Sequence, residues 1–128
     1  PPPQRKFIPL LQKTKDAYSR WYEYYQILPK PHKYSLGQKI DTLFIEIIEA
    51  VSTANFLVRE EKIPYVRFAI KKVDTLKILL MILWENKSLD NKKYLSLSLK
   101  IDEIGRMLGG WNGQLHKQNS PNTQPGEK

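Results

Sequence analysis

The sequence predicts an all-α protein, an antiparallel up-down-up-down four-helix bundle. Three observations predict it. Apolar residues recur at steps of three and four through four long stretches, the period of a helix with one buried face. Helix-stopping and capping residues (Pro29, Pro31, Ser35, Pro64, Asp90) punctuate the chain at the edges of those stretches. No stretch of useful length alternates apolar and polar residues as a half-buried strand does. The chain has 128 residues, which suits one domain with a sizeable core.

The first helix is expected over Pro9–Leu28, with Pro9 in its first turn and Pro29 and Pro31 ending it. The second is expected from Ser35, read as an N-cap, to Val58. Its apolar face comprises Ile40, Leu43, Phe44, Ile47, Ile48, Val51, Ala54 and Val58. The third is expected from Pro64 to Asn86, with Val66, Ile70, Val73, Leu76, Leu80, Leu83 and Trp84 facing inward. The fourth opens at Asp90, another capping residue. It carries Leu97, Ile101, Ile104, Leu108, Trp111 and Leu115 at alternating steps of four and three, a seam for shallow-angle packing. The connections Pro29–Tyr34, Arg59–Ile63 and Lys87–Leu89 are short, so successive helices should be antiparallel neighbours. The bundle is expected over residues 8–117. Residues 1–7 are expected to be a flexible lead and the polar Gln118–Lys128 a disordered tail.

The net charge is +8, which suggests a polyanionic partner. That charge is uneven: residues 1–34 carry +5, residues 35–58 carry −2, residues 59–78 carry +3 and residues 79–128 carry +2. There is no cysteine, which excludes disulfides, thiolate metal sites and a thiol nucleophile. The longest apolar run, Ile78–Trp84, is too short to span a bilayer, and no signal peptide is visible, so a cytoplasmic protein with no membrane partner is expected. His32 and His116 have no spaced ligand partners, Glu60-Glu61 reads as a surface charge run, and no phosphate-binding or nucleophile motif is present. No metal or cofactor and no catalytic residue is expected.

Three features stand out. Arg67, Lys71, Lys72 and Lys77 form a basic set on the third helix; such cations neutralise phosphates and release counterions. Lys77 interrupts an apolar run, so its ammonium must pair or reach a polar surface. Tyr18, Tyr22 and Tyr25 form a stripe on the first helix beside Trp21 and Tyr24, suited to base stacking or, more simply, to packing, including packing against another subunit. Gly105, Gly109 and Gly113 are spaced by four and align on one face if the last helix continues through them. Glycine costs about 1 kcal/mol there relative to alanine, so close helix–helix approach is the expected reason.

Two stretches resemble a known family. Pro29-Lys30-Pro31-His32-Lys33-Tyr34-Ser35-Leu36-Gly37-Gln38-Lys39-Ile40 is similar to the loop and second-helix start of the Avd proteins, the accessory variability determinants of diversity-generating retroelements. Ile104-Gly105-Arg106-Met107-Leu108-Gly109-Gly110-Trp111 resembles that family's last-helix signature. The helix order and basic charge agree, over roughly residues 8–117. The resemblance implies a ring-shaped homopentamer with a basic surface and a central channel. It implies binding of the retroelement's reverse transcriptase and its template RNA or cDNA, in a complex that makes cDNA altered at template adenines. It also implies no catalysis by the accessory protein itself. On this reading Arg106 is the signature arginine, Lys77 occupies a position that is often basic in relatives, and Trp111 is the signature tryptophan, in a structural role. Two alternatives stay open: a bundle of the ribosomal RNA intervening-sequence kind, and a helical adaptor that binds only protein.

Overall fold

A computed structural model describes residues 7–119, with side chains from Pro9 to Lys117, and the regular structure in that span is all helical. Helix α1 runs Phe7–Gln26. A single turn, α2 (Lys30–His32), leads through a π-helical stretch, Lys33–Gly37, directly into α3 (Gln38–Asn55). Helices α4 (Arg59–Glu85) and α5 (Asn91–Asn119) complete the chain. Because α2, the π turn and α3 form one rod, the architecture is a four-helix bundle. In it α1 packs on α3 and α5, and α4 packs on the other sides of both.

The core follows the apolar periodicity. Trp21, Ile40, Phe44, Ile47, Val51, Val66, Val73, Leu76, Leu80, Leu83, Leu97, Ile101, Ile104, Leu108 and Leu115 are buried. Each large aliphatic side chain so buried stabilises the fold by roughly 1.5–3 kcal/mol before entropic costs. Trp21 anchors the α1 side. Its ring stacks on Phe44 at 6.3 Å and on Tyr25 at 5.3 Å, and its indole N–H donates to Asp41 Oδ1 at 3.3 Å. Thr14 is fully buried and donates its hydroxyl to the Leu10 carbonyl at 2.9 Å, so it leaves no orphaned polar group.

Several expected boundaries move. Ser35 is no N-cap: it lies inside the π turn and its hydroxyl donates to the Pro31 carbonyl at 2.7 Å. The expected connection Pro29–Tyr34 is therefore helical from Lys30. Pro31 is tolerated because the first-turn amides of a helix need no intrahelical acceptor. Likewise α4 starts at Arg59 rather than Pro64, and the expected connection Arg59–Ile63 is its opening. Glu60 and Glu61, read as a surface run, occupy the first turn, where carboxylates complement the helix dipole. The true connection is Phe56–Val58, so Val58 leaves the buried face of the second rod and stands 60% exposed. Trp84 also falls outside the core: it is 38% exposed, stacks on Tyr94 at 5.0 Å and donates to Asn91 Oδ1 at 2.6 Å.

The helix ends explain themselves locally. Lys62 reaches back to close α3, its ammonium donating to the Ala54 carbonyl at 2.7 Å, and burial there lowers its pKa. Asp90 caps α5 as expected: its Oδ1 accepts the Lys93 amide at 2.8 Å. The α4–α5 turn is a Schellman closure, with Ser88 N–H bonded to the Leu83 carbonyl at 2.8 Å and Lys87 N–H to the Trp84 carbonyl at 3.0 Å. Lys87 takes the left-handed position of that motif, φ 67°, where glycine is usual. The flexible lead expected at 1–7 lies outside the described residues except for Phe7, with which α1 begins. Of the tail expected at 118–128, Gln118 and Asn119 continue α5 and the rest lies outside.

Candidate nucleic-acid interface

The basic residues of α4 do not form one patch. A helix turns about 100° per residue, and the core face of α4 divides them. Lys72 turns toward α3, where its ammonium lies 3.3 Å from Glu46 Oε1 and 4.9 Å from the Phe68 ring centroid. Arg67 and Lys71 are exposed on the outer side. Lys77 lies over the α4–α5 seam, 3.4 Å from Asp102 Oδ1, so it pairs at a polar surface as its sequence position requires.

At that seam two of the expected cations converge from different helices. Ile70, Val73, Asp74, Lys77, Asp102, Gly105 and Arg106 line an open groove of about 340 Å³. Gly105 forms part of its floor. A Cβ there would stand 3.6 Å from Lys77 Nζ and 3.7 Å from Val73 Cγ1, ordinary contact distances. Arg106 is exposed beside the groove. Phosphate oxygens laid along the seam would meet Lys77 and Arg106, with Asp74 and Asp102 opposing them. The exposed Arg67 and Lys71 extend the basic character along α4.

Other basic side chains are spent as struts. Lys13 bridges α1 to α5 through Glu103 at 3.1 Å. Arg20 donates to Ser96 at 3.3 Å, and the ammonium of Lys93 sits 5.5 Å from the Tyr24 ring centroid. The strongly positive first segment is therefore partly neutralised by its neighbour. The tyrosine stripe mainly packs within the chain. Tyr18 meets Phe44 edge-on at 5.7 Å and Tyr22 at 6.1 Å, while Tyr25 stacks on Trp21. Burial, then the hydrogen-bonded Asp41 carboxylate, push the Tyr18 pKa up to about 12, and burial raises Tyr25 as well. Tyr22 is the one ring of the three left 48% exposed.

The last helix does continue through its glycines; Gly105 lies against α4, but close helix approach among the described residues does not explain Gly109 or Gly113. A Cβ at Gly109, Gly110 or Gly113 would meet nothing within 4 Å among the described residues. Trp111 is half-buried and lines a groove with Pro9, Leu10 and Met107 at the α1–α5 end. The tight glycine is one that sequence reasoning passed over. A Cβ on Gly37 would lie 2.9 Å from Tyr25 Cε1, 3.1 Å from the His32 carbonyl and 3.2 Å from Leu28 Cδ1. His32 was also missed as a structural residue; its Nδ1 lies 2.5 Å from Ser88 Oγ and ties the two connections at one end of the bundle together.

Among the described residues no three His, Asp or Glu side chains gather as a metal site, and no helix is long and apolar enough to cross a membrane. Residues 8–115 match the sequence profile of the bAvd-like family. The chain belongs to that family. No curated protein matches this bAvd-like chain. Its fold is similar to the crystal structure of a protein of unknown function from the S23 ribosomal protein family of Bacteroides thetaiotaomicron. The TM-score is 0.77 at 17% identity, over 84% of this chain and 98% of that one. At that identity the likeness shows the shared four-helix fold alone.

Proposed function

We propose that this bAvd-like protein is a non-catalytic accessory factor of a diversity-generating retroelement. It binds the element's reverse transcriptase and its template RNA or cDNA, as a homopentamer, and supports mutagenic reverse transcription. The observation that carries the reading is family membership over residues 8–115. The +8 charge and the convergence of Lys77 and Arg106 at the α4–α5 seam support a nucleic-acid contact there, with Arg67 and Lys71 alongside. Lys72, engaged with Glu46, is secondary in that surface.

The test is native mass spectrometry of the protein alone and after co-expression with the reverse transcriptase encoded nearest to it. A pentamer that carries the polymerase is the expected result. A monomer that ignores it would overturn the reading and favour a protein-only adaptor or a ribosomal-insert bundle. For the nucleic acid, Lys77→Glu with Arg106→Glu should weaken RNA binding across sequences. It should also flatten the log–log salt dependence by about 1.5, the share of two lost phosphate contacts. Unchanged RNA affinity in that double variant would remove the seam from the interface.

A further inference from the structure

The opposite flank of α4 carries different chemistry. Between α3 and α4 lies an open cavity of about 540 Å³, lined by Glu46, Glu49, Ala50, Thr53, Pro64, Tyr65 and Phe68. Glu46 and Glu49 are one helical turn apart on α3, and Tyr65 and Phe68 one turn apart on α4, so a wall of carboxylates faces a wall of aromatic rings. Both rings are 41% exposed, so their faces are open to solvent and to a partner.

We propose that this α3–α4 cavity is a receptor for an arginine side chain presented by a protein partner. The protein's own Lys72 shows the chemistry. Its ammonium sits at the cavity's edge, 3.3 Å from Glu46 Oε1 and 4.9 Å from the Phe68 ring centroid, so a cation there already gains from a carboxylate and a π-face together. Carboxylate capacity remains. Glu49 is exposed and has no ion-pair partner among the described residues. Glu46 Oε1 is buried without an aligned hydrogen-bond donor, its contact with Lys72 being one of charge alone. Lys62, the next cation along, is turned away onto the carbonyls that end α3.

Charge complementarity selects the occupant. Residues 35–58 are the only one of the four segments that is net acidic, at −2 in a chain of +8. The two carboxylates disfavour a phosphate here and attract a basic protein segment. Guanidinium fits better than ammonium for two physical reasons. It is planar, so it stacks on Tyr65 while its fork meets the Glu49 carboxylate, and its weaker hydration makes entry beside Lys72 less costly. The groove thus recruits protein on the face turned away from the Lys77–Arg106 seam, and it stands independently of which polymerase, if any, the family role involves.

The test uses the full chain and two small probes, Nα-acetyl-arginine amide and the neutral isostere Nα-acetyl-citrulline amide, followed by backbone amide NMR. The expected result is saturable shifts confined to residues 46–53 and 64–72 with the arginine probe and none with citrulline. Glu49→Gln and Tyr65→Ala, both surface changes, should each weaken the arginine response about fivefold, as loss of one charge contact or one cation–π contact does. Equal shifts with citrulline, shifts scattered over the surface, or an arginine response untouched by Glu49→Gln would overturn the proposal. Sedimentation of Glu49→Lys separates the remaining occupant: its mass should equal the parent's. A changed oligomeric mass would mean that a second copy supplies the cation, and that too overturns a separate partner.

Discussion

Two glycine-containing stretches of this chain behave in opposite ways. In the π turn, Gly37 is enclosed by Tyr25, Leu28 and the His32 carbonyl; an added Cβ would overlap the Tyr25 ring and stand tight against the other two. In the second half of α5, Gly109, Gly110 and Gly113 look out onto open space. Both stretches carry the resemblance to the Avd proteins, yet for different physical reasons. The π turn needs glycine to close one protomer, because α1 presses directly on that backbone. The α5 glycines destabilise their helix, and among the described residues no neighbour comes close enough to require them. In the proposed pentamer that open face is free to meet a second copy.

The largest expected effect is at the enclosed site. Gly37→Ala should lower the unfolding free energy by about 2–3 kcal/mol in urea melts, the cost of overpacking a filled core. Adding Tyr25→Leu should recover part of that loss but not all, since the His32 carbonyl is backbone and stays at 3.1 Å. A neutral Gly37→Ala would erase the contrast. Next comes the turn where the comparison is inverted. Lys87 holds a left-handed φ of 67° that glycine adopts freely, so Lys87→Gly should raise stability by about 1 kcal/mol. At the open sites, Gly109→Ala and Gly113→Ala should each raise protomer stability by about 0.5–1 kcal/mol, since alanine meets no neighbour. Gly109→Leu should leave the thermal transition intact, and any loss of oligomeric mass it causes would locate the outside contact on that face.

The last effect is a pH dependence on the crowded side. The Tyr18 phenol ionises only near pH 12 in the fold, against 10.0 ordinarily, because burial and Asp41 disfavour the phenolate. The unfolded chain therefore releases that proton first, and stability falls as pH rises from 10 toward 12. Tyr18→Phe should flatten this alkaline decline in urea melts taken at pH 9 and pH 11, leaving the shallower contribution of Tyr25.

Helix number, order and core were legible because burial and period coincide: Ile40, Phe44, Ile47 and Val51 advance at the spacing of one face and are all buried. The ends were less legible. Pro64 reads as a start, but it lies inside α4, more than a turn from Arg59, and the Glu60-Glu61 pair ahead of it was the better signal. Ser35 looked like a cap because nothing at that position announces a π turn, nor the packing of Gly37 against Tyr25 and Leu28 in the preceding helix and turn. Asp90, whose cap is purely local, was read correctly. The candidate interface was half legible. Periodicity separates Lys72 from Arg67 and Lys71, but only tertiary packing shows that Lys72 is held by Glu46 while Lys77 and Arg106 line one groove. The Glu46–Phe68 cavity joins two helices at a distance, and its one trace in the sequence was the acidic balance of residues 35–58.

The position of α1 has a consequence for how the chain assembles itself. The α3–α4 and α4–α5 hairpins join neighbours along the chain, contacts that close quickly because little loop entropy is lost. Helix α1, by contrast, completes its site only on α5, through links such as Lys13 to Glu103 and Arg20 to Ser96. Of the four helices α1 is made first, and although Trp21 can already meet Phe44 on α3, its other flank is covered only once α5 is in place. Until α5 emerges, that flank is open to misassociation.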